Sequence, residues 1–161
     1  MEPIAELLDL PKEYGEPTEP LEWGIVRAEL ERARAYWIVT VREDGRPHAV
    51  PVDGIWLDDA WYYGGSDETV HHRSVVGNPE VVMHLEDGMK AVIVEGEVRR
   101  TKPSGELAQR LADASRQKYG YGMSAGDYEG SGALTLRPRR VLAWMAFPRD
   151  ATRFRFEIPP R

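Results

Sequence analysis

Between Tyr36 and Trp61 the chain runs through strand-like stretches and turns back twice, and this constrains the fold more than any other feature. Tyr36–Arg42 (YWIVTVR) is crowded with β-branched and aromatic residues, whose stiff side chains suit a pleated strand. Glu43-Asp44-Gly45-Arg46 follows, and Asp-Gly is a pair that a tight hairpin accepts. Pro47–Trp56 reads as the returning strand, Asp58-Asp59 as the next turn and Trp61–Gly64 as a third strand. Strands joined this closely pair antiparallel, because a parallel pair needs a crossover of a dozen or more residues. The pattern resumes with Glu80–Glu86, a turn at Asp87-Gly88, and Lys90–Arg100, where AVIVEGEV alternates as a strand with one buried face does. Further strands are expected near Ala133–Arg137, Val141–Phe147 and Arg153–Ile158.

Helices interrupt this series. In Pro20–Arg34 the residues Trp23, Val26, Leu30 and Ala33 share one helical face, and Pro20 suits a first helical position. Ser104–Tyr119 turns Leu107, Leu111 and Ala114 inward and meets Gly120 at its end. A short helix fits between Gly65 and Gly77-Asn78-Pro79, and residues 120–132, with five glycines, read as a mobile loop. Residues 1–20 form an acidic, proline-rich arm with one turn expected around Ile4–Leu10, and 21–161 form a single domain. Six to eight strands and two or three helices describe a mainly β protein, an antiparallel sheet closed into a small barrel with helices packed outside.

A chain of 161 residues buries roughly 68–70% of its unfolded surface and needs no staples. There is no cysteine, so disulfides and thiolate metal sites are excluded and a reducing cytoplasm is the expected setting. No long apolar run or signal-peptide core is present, so no membrane association is expected. The net charge of −6 argues against nucleic acid as a partner. The charge is uneven: residues 1–20 carry six acids against Lys12, while the stretch from Arg137 carries seven arginines against Asp150 and Glu157. That basic end suits an anionic small molecule or a solvated face.

The stretch WYYGGSDETVHHRSVVGNP, Trp61 to Pro79, combines a strand, two glycines and a helix start. Free helical N–H groups and a close backbone approach make such a place an anion site. In one reading Ser66, His71 and Arg73 hold a phosphate. In the other, Ser66 is an N-cap, Asp67 and Glu68 favour the helix dipole, and Arg73 is solvated. The two acids oppose a phosphate. PHAVPVDGIW is unusual for a strand, because Pro47 and Pro51 cannot donate to a ladder and Gly54 weakens it. It reads either as a bulged edge strand or as one whose free backbone groups face a flat heterocycle. Trp144 on an alternating strand suits the core, and Arg153 and Arg155 share one strand face. The only histidines are His48, His71, His72 and His84, without a His-Glu-x-x-His pattern, and no metal is expected. Gly-x-Ser-x-Gly and the P-loop pattern are absent, and no catalytic residue is identified. Tyr63, Tyr121 and Tyr128 are conceivable proton donors.

Taken together, these segments resemble the flavin-binding split-barrel family, the pyridoxamine 5′-phosphate oxidase-like and deazaflavin-dependent oxidoreductases. The resemblance spans about Trp23 to Phe156. TVREDGRPHAVPV looks like the family's first hairpin, WYYGGSDETVHHRSVVGNP like its third strand and phosphate-side helix, and VIVEGEV like a later barrel strand. RPRRVLAWMAFPRDATRFRF is similar to the C-terminal Arg-Pro, Trp and Arg-x-Arg pattern of the oxidases. The resemblance implies an antiparallel six-stranded split β-barrel with flanking helices and a homodimer with two cofactor sites at its interface. The flavin ring would lie against the strand His48–Val52, touching His48, Val50, Pro51 and Val52. Ser66, His71 and Arg73 would take the phosphate, with Trp144 and Arg153 arriving from the other subunit. His71 stands where lysine is common. FMN is the implied cofactor, coenzyme F-420 the alternative and haem a third. The implied function is flavin-dependent oxidoreduction of a small-molecule substrate, with a coenzyme F-420-dependent reductase or a non-catalytic haem- or ligand-binding barrel as alternatives.

Overall fold

The computed structural model describes residues 2–157. In chain order it contains β1 (Ile4–Leu7), a 3₁₀ turn at Lys12–Tyr14, α1 (Trp23–Arg32), β2 (Tyr36–Val41), β3 (Pro47–Val52), β4 (Ile55–Leu57) and β5 (Ala60–Tyr63). These are followed by α2 (Val70–Gly77), β6 (Glu80–His84), β7 (Val92–Thr101), α3 (Gly105–Tyr119), α4 (Ala125–Gly130), β8 (Ala133–Ala143) and β9 (Thr152–Arg155). Every strand pairing is antiparallel. The order is β1-β9-β8-β7-β6-β2-β3, with β5 joining β8 and carrying β4.

This is the expected antiparallel split barrel, with nine strands in one sheet. Among the described residues the sheet is not closed: β3 and β1 end the strand order, and β4 pairs only with β5. The long strand β8 explains the branching. One edge of β8 pairs with β7 along its length. The other edge meets β5 at Leu134–Leu136 and β9 at Arg140–Ala143.

Several boundaries differ from the sequence expectation for identifiable reasons. Two strands were expected around Pro138, yet β8 passes through it. Pro138 faces Gly96, at a register shift between Glu95 and Gly96, so the missing N–H falls at an irregularity rather than in a regular ladder. Only glycine fits at 96, where a Cβ would lie 2.1 Å from the Arg137 carbonyl oxygen. The returning strand splits at Asp53-Gly54 into β3 and β4. Gly54 is fixed by close packing, because a Cβ there would approach Trp61 Nε1 to 2.3 Å. The turn expected around Ile4–Leu10 is instead the strand β1, paired with β9. Helix α1 begins three residues after Pro20, with Glu22 at its N-cap. The last expected strand stops at Arg155, and Ile158 lies outside the described residues. The glycine-rich loop contains α4, started by a reciprocal capping box between Ser124 and Asp127.

Helix α1 buries Trp23, Val26 and Leu30, the face its spacing predicts, against a core that includes Tyr36, Ile38, Trp61, Met83, Leu136 and Phe154. A second, smaller core lies under α3 and α4, where Ala108, Leu111, Ala112 and Tyr128 meet Ile55 and Tyr62. Residues Trp61 and Tyr63 of β5 point into the first core and Tyr62 into the second. Strand β5 therefore separates the two, and the Gly64-Gly65 turn leaves from its end.

Candidate functional site

Strand β3 pairs with β2 alone among the described residues. Its burial alternates, with His48, Val50 and Val52 half-buried and Pro47, Ala49 and Pro51 exposed. Prolines on an edge strand sit where their missing N–H would face outward. The open edge thus offers the Ala49 N–H and the carbonyls of Pro47, Ala49 and Pro51. Helix α2 packs on β2 and β3, so this edge lies beside the Gly64–Gly77 segment.

Ser66 does not cap α2. Thr69 holds the N-cap position, and Ser66 starts the preceding turn, where its Oγ accepts the Glu68 N–H at 3.2 Å and its carbonyl accepts Thr69 Oγ1–H at 2.8 Å. Asp67 and Glu68 are therefore turn residues, outside the first turn of the helix. Arg73 is exposed and donates to the Glu68 carbonyl. Asp67 is not an uncompensated acid: Arg100, at the end of β7, donates to it at 2.8 Å. Arg100 was missed in the sequence because its partner lies 33 residues away and no local pattern joins them.

His71 is only 5% exposed, and its Nδ1 has no hydrogen-bond partner. Burial, followed by the neighbouring His72 and His48, pushes its pKa down to about 4. Near pH 7 it is therefore a neutral imidazole and not a cation. His72 is lowered as well by burial, against the opposing pull of Asp67. The two rings come within 5.0 Å of each other, centroid to centroid, although successive helical side chains diverge. Both lie under Gly65, where a Cβ would touch His72 at 3.7 Å and His71 at 3.9 Å. Tyr63 stacks on Trp61 at 4.3 Å and stands 5.9 Å from His71. Arg42 donates to His48 Nδ1 at 3.1 Å, which leaves any proton of that ring on Nε2. The hydroxyls of Thr40 and Tyr63 are buried without partners, as is His71 Nδ1. Unpaired buried polar atoms are rare in folded proteins; Arg42 Nε and the indole N–H groups of Trp56 and Trp61 are in the same state, so such atoms are not confined to the neighbourhood of β3.

Trp144 and Arg153 belong to another part of the sheet, and four strands separate β9 from β3 in the ladder order. The Trp144 ring meets Phe147 edge-on at 5.3 Å, and the Trp144 backbone N–H donates to the Ala91 carbonyl at 3.1 Å. Arg153 lies opposite Glu6 across the β1–β9 ladder and donates to it at 3.0 Å. Arg155 donates to the same carboxylate, which holds the Glu6 pKa below its ordinary value. The anion expected beside these two arginines is thus supplied by the arm. The chain brings together His48, Val50, Val52, His71 and the Ser66–Arg73 segment, and holds Trp144 and Arg153 elsewhere.

A depression opens beside Gly64-Gly65. This cleft of about 170 Å³ is lined by Tyr62, Tyr63, Tyr119, Tyr121, Met123 and Tyr128, with Asp53 also on its wall. Among the described residues no three histidine, aspartate or glutamate side chains are grouped as metal ligands, and no helix is long and apolar enough to cross a membrane.

Comparison with known families settles the ancestry of this arrangement. A family model described as pyridoxamine 5′-phosphate oxidase matches residues 25–145. The chain belongs to the pyridoxamine 5′-phosphate oxidase family. Solved structures that share the fold include an F-420 reductase, 19% identical, covering 71% of this chain and 94% of that one with a TM-score of 0.53. A haem-binding protein from Mycobacterium smegmatis is 20% identical and covers 83% of this chain and 58% of its own, with a TM-score of 0.62. HutZ, the haem storage protein from Vibrio cholerae, is 18% identical and covers 77% of this chain and 94% of its own, with a TM-score of 0.55. At these identities the likeness concerns the fold. No curated protein matches the chain. One fold is thus shared by this chain, an F-420 reductase and haem-binding and haem storage proteins.

Proposed function

We propose that this chain binds FMN between two copies of itself and works as a flavin-dependent oxidoreductase on a small molecule. The observation that carries the reading is the unpaired edge of β3 beside α2. Its carbonyls and the Ala49 N–H match the alternating donors and acceptors along the edge of a flavin ring. His48, Val50, Pro51 and Val52 would form that wall. The phosphate end fits the donors at hand. Arg73 donates to a neutral carbonyl, Ser66 is exposed, and Arg100 pairs with Asp67. Neutral His71 would contribute an N–H, without a charge. Trp144 of the partner subunit and Arg153 of the partner subunit would close the site. A bound flavin supplies two-electron transfer, and the protein's task is to hold, orient and shield it.

FMN titration with fluorescence quenching tests this reading. Arg73→Ala should weaken binding at least about tenfold, a loss of ~1.4 kcal/mol. Unchanged affinity removes Arg73 from the site. A colourless protein that ignores FMN and binds coenzyme F-420 would make the chain a deazaflavin reductase instead. A specific observation favours haem as a second reading: His71 and His72 lie together, with His48 acting on His71, and neutral imidazole is a haem ligand. A Soret band in the purified protein would establish it.

A further inference from the structure

The tyrosine-lined cleft lies outside the cofactor wall yet shares residues with it. Tyr63, Gly64 and Gly65 line the cleft, and two of them, Tyr63 and Gly65, stand beside His71 and His72. The remaining walls come from Tyr62 of β5, Ser115 and Tyr119 of α3, the 121–123 segment, and Tyr128 of α4. The space has a definite capacity: about 170 Å³, where a cavity of ~150 Å³ holds one benzene ring. Its polar groups are largely committed. Tyr121 donates to Asp53 at 2.8 Å. The Tyr119 hydroxyl accepts the Gly54 N–H at 3.0 Å and lies 2.9 Å from the Arg34 carbonyl.

The charge at the lining is one-sided. Asp53 is the only carboxylate among the lining residues, and no lysine, arginine or histidine lines the cleft. Cations do come near. Arg34 and Lys118 stand over the Tyr119 ring at 5.6 and 5.8 Å, outside the lining; they keep their charge, and hydrogen bonds from Arg34 to the Lys118 carbonyl and from Lys118 to the Ala33 carbonyl and the Tyr36 hydroxyl hold them there. Arg110, near Tyr62, is held by both oxygens of Asp58. Exposed Arg137 also acts on Tyr62 from outside the lining.

We infer that this cleft takes the ring of a single-ring aromatic compound that is uncharged or positively charged, and that it rejects a phosphorylated one. This deepens the flavin reading, because it names the substrate class of the compartment next to the cofactor. Aromatic walls stack on a flat ring and attract a cationic one. A phosphate would enter a lining that offers Asp53 and no cation, and close like charges repel.

The test uses benzyl alcohol, benzylamine and benzyl phosphate, three probes with one ring and different charge. Binding to the full chain is measured by saturation-transfer NMR and calorimetry, with FMN titrated in parallel. Benzyl alcohol and benzylamine should bind at least about tenfold more tightly than benzyl phosphate. Gly64→Phe should reduce the binding of both, since a Cβ at this lining position meets no atom within 4 Å and the ring can occupy the mouth. Asp53→Asn should narrow the margin between benzylamine and benzyl alcohol in a protein whose circular dichroism is unchanged. Equal or tighter binding of benzyl phosphate overturns the inference. So does the absence of binding by any probe, or binding that Gly64→Phe leaves intact. Ring binding without FMN binding defeats only the flavin reading, and FMN binding without ring binding defeats only this one.

Discussion

The buried imidazole of His71 makes stability depend on pH in a defined window. Its folded pKa is about 4 against an ordinary 6.5, so between those values the unfolded chain binds a proton that the folded chain excludes. Stability then rises with pH across that window and is fully present above 6.5. It is lost as pH falls toward 4. At 1.36 kcal/mol per pKa unit the shift sets an upper limit of about 3 kcal/mol. The exposed Gly64–Asp67 turn lets water screen part of the charge, so a loss of ~2 kcal/mol is expected. The assay is urea unfolding at pH 7, 6, 5 and 4 for the native sequence and for His71→Gln, in which nothing titrates at position 71. His72 is present in both and cancels. The native protein should lose ~2 kcal/mol more than the variant between pH 7 and pH 4. Parallel curves would refute the reasoning, since they would mean that the imidazole accepts its proton in place. The same site gives an opposite slope for ligand binding. A phosphate beside the ring favours its charged form, so FMN should bind more tightly at pH 5 than at pH 7, and His71→Gln should lose that dependence.

Three further outcomes are expected. Asp150 is buried and accepts the N–H groups of Met145 and Ala146 at 2.9–3.1 Å. Asp150→Ala strands those donors and should cost ~2–4 kcal/mol in urea unfolding, while a loss below ~1 kcal/mol would show that water replaces the carboxylate. Gly54→Ala forces a Cβ to within 2.3 Å of Trp61 Nε1 and 2.9 Å of the Tyr62 carbonyl. It should destabilise the protein by ~1–3 kcal/mol, with a shift in tryptophan fluorescence as Trp61 moves. Sedimentation should give a dimer, and a monomer that still binds FMN with native affinity would rule out a site shared between subunits.

The sequence revealed much of the sheet, because strand alternation and Asp-Gly turns are local signals. Tyr36–Val41 and Pro47–Val52 pair across the predicted hairpin, and Ser104 and Gly120 bound α3 as expected. Non-local effects were harder to read. That β8 continues through Pro138 depends on Gly96, far away in the chain. The arm's four-residue strand has no partner until β9 is present. Helix α4 was legible in principle: Ser124-Ala125-Gly126-Asp127 has capping spacing, but its glycines masked it. At the candidate site, the residue types were evident and their states were not. Only the fold shows that His71 is buried and neutral, that Arg100 pairs with Asp67, and that Glu6 occupies both Arg153 and Arg155.

The pairing of β1 with β9 also bears on how the molecule assembles. Glu6 and Arg153 lie 147 residues apart in the chain, and β8, which β5, β7 and β9 all need as a partner, is among the last strands to be made. A ribosome would therefore release hairpins β4–β5 and β6–β7 well before β8, the neighbour of both β5 and β7, exists. Contacts this distant in sequence make folding slow. During synthesis the growing chain would hold open strand edges until β8 and β9 emerge, and that interval is when aggregation competes most strongly.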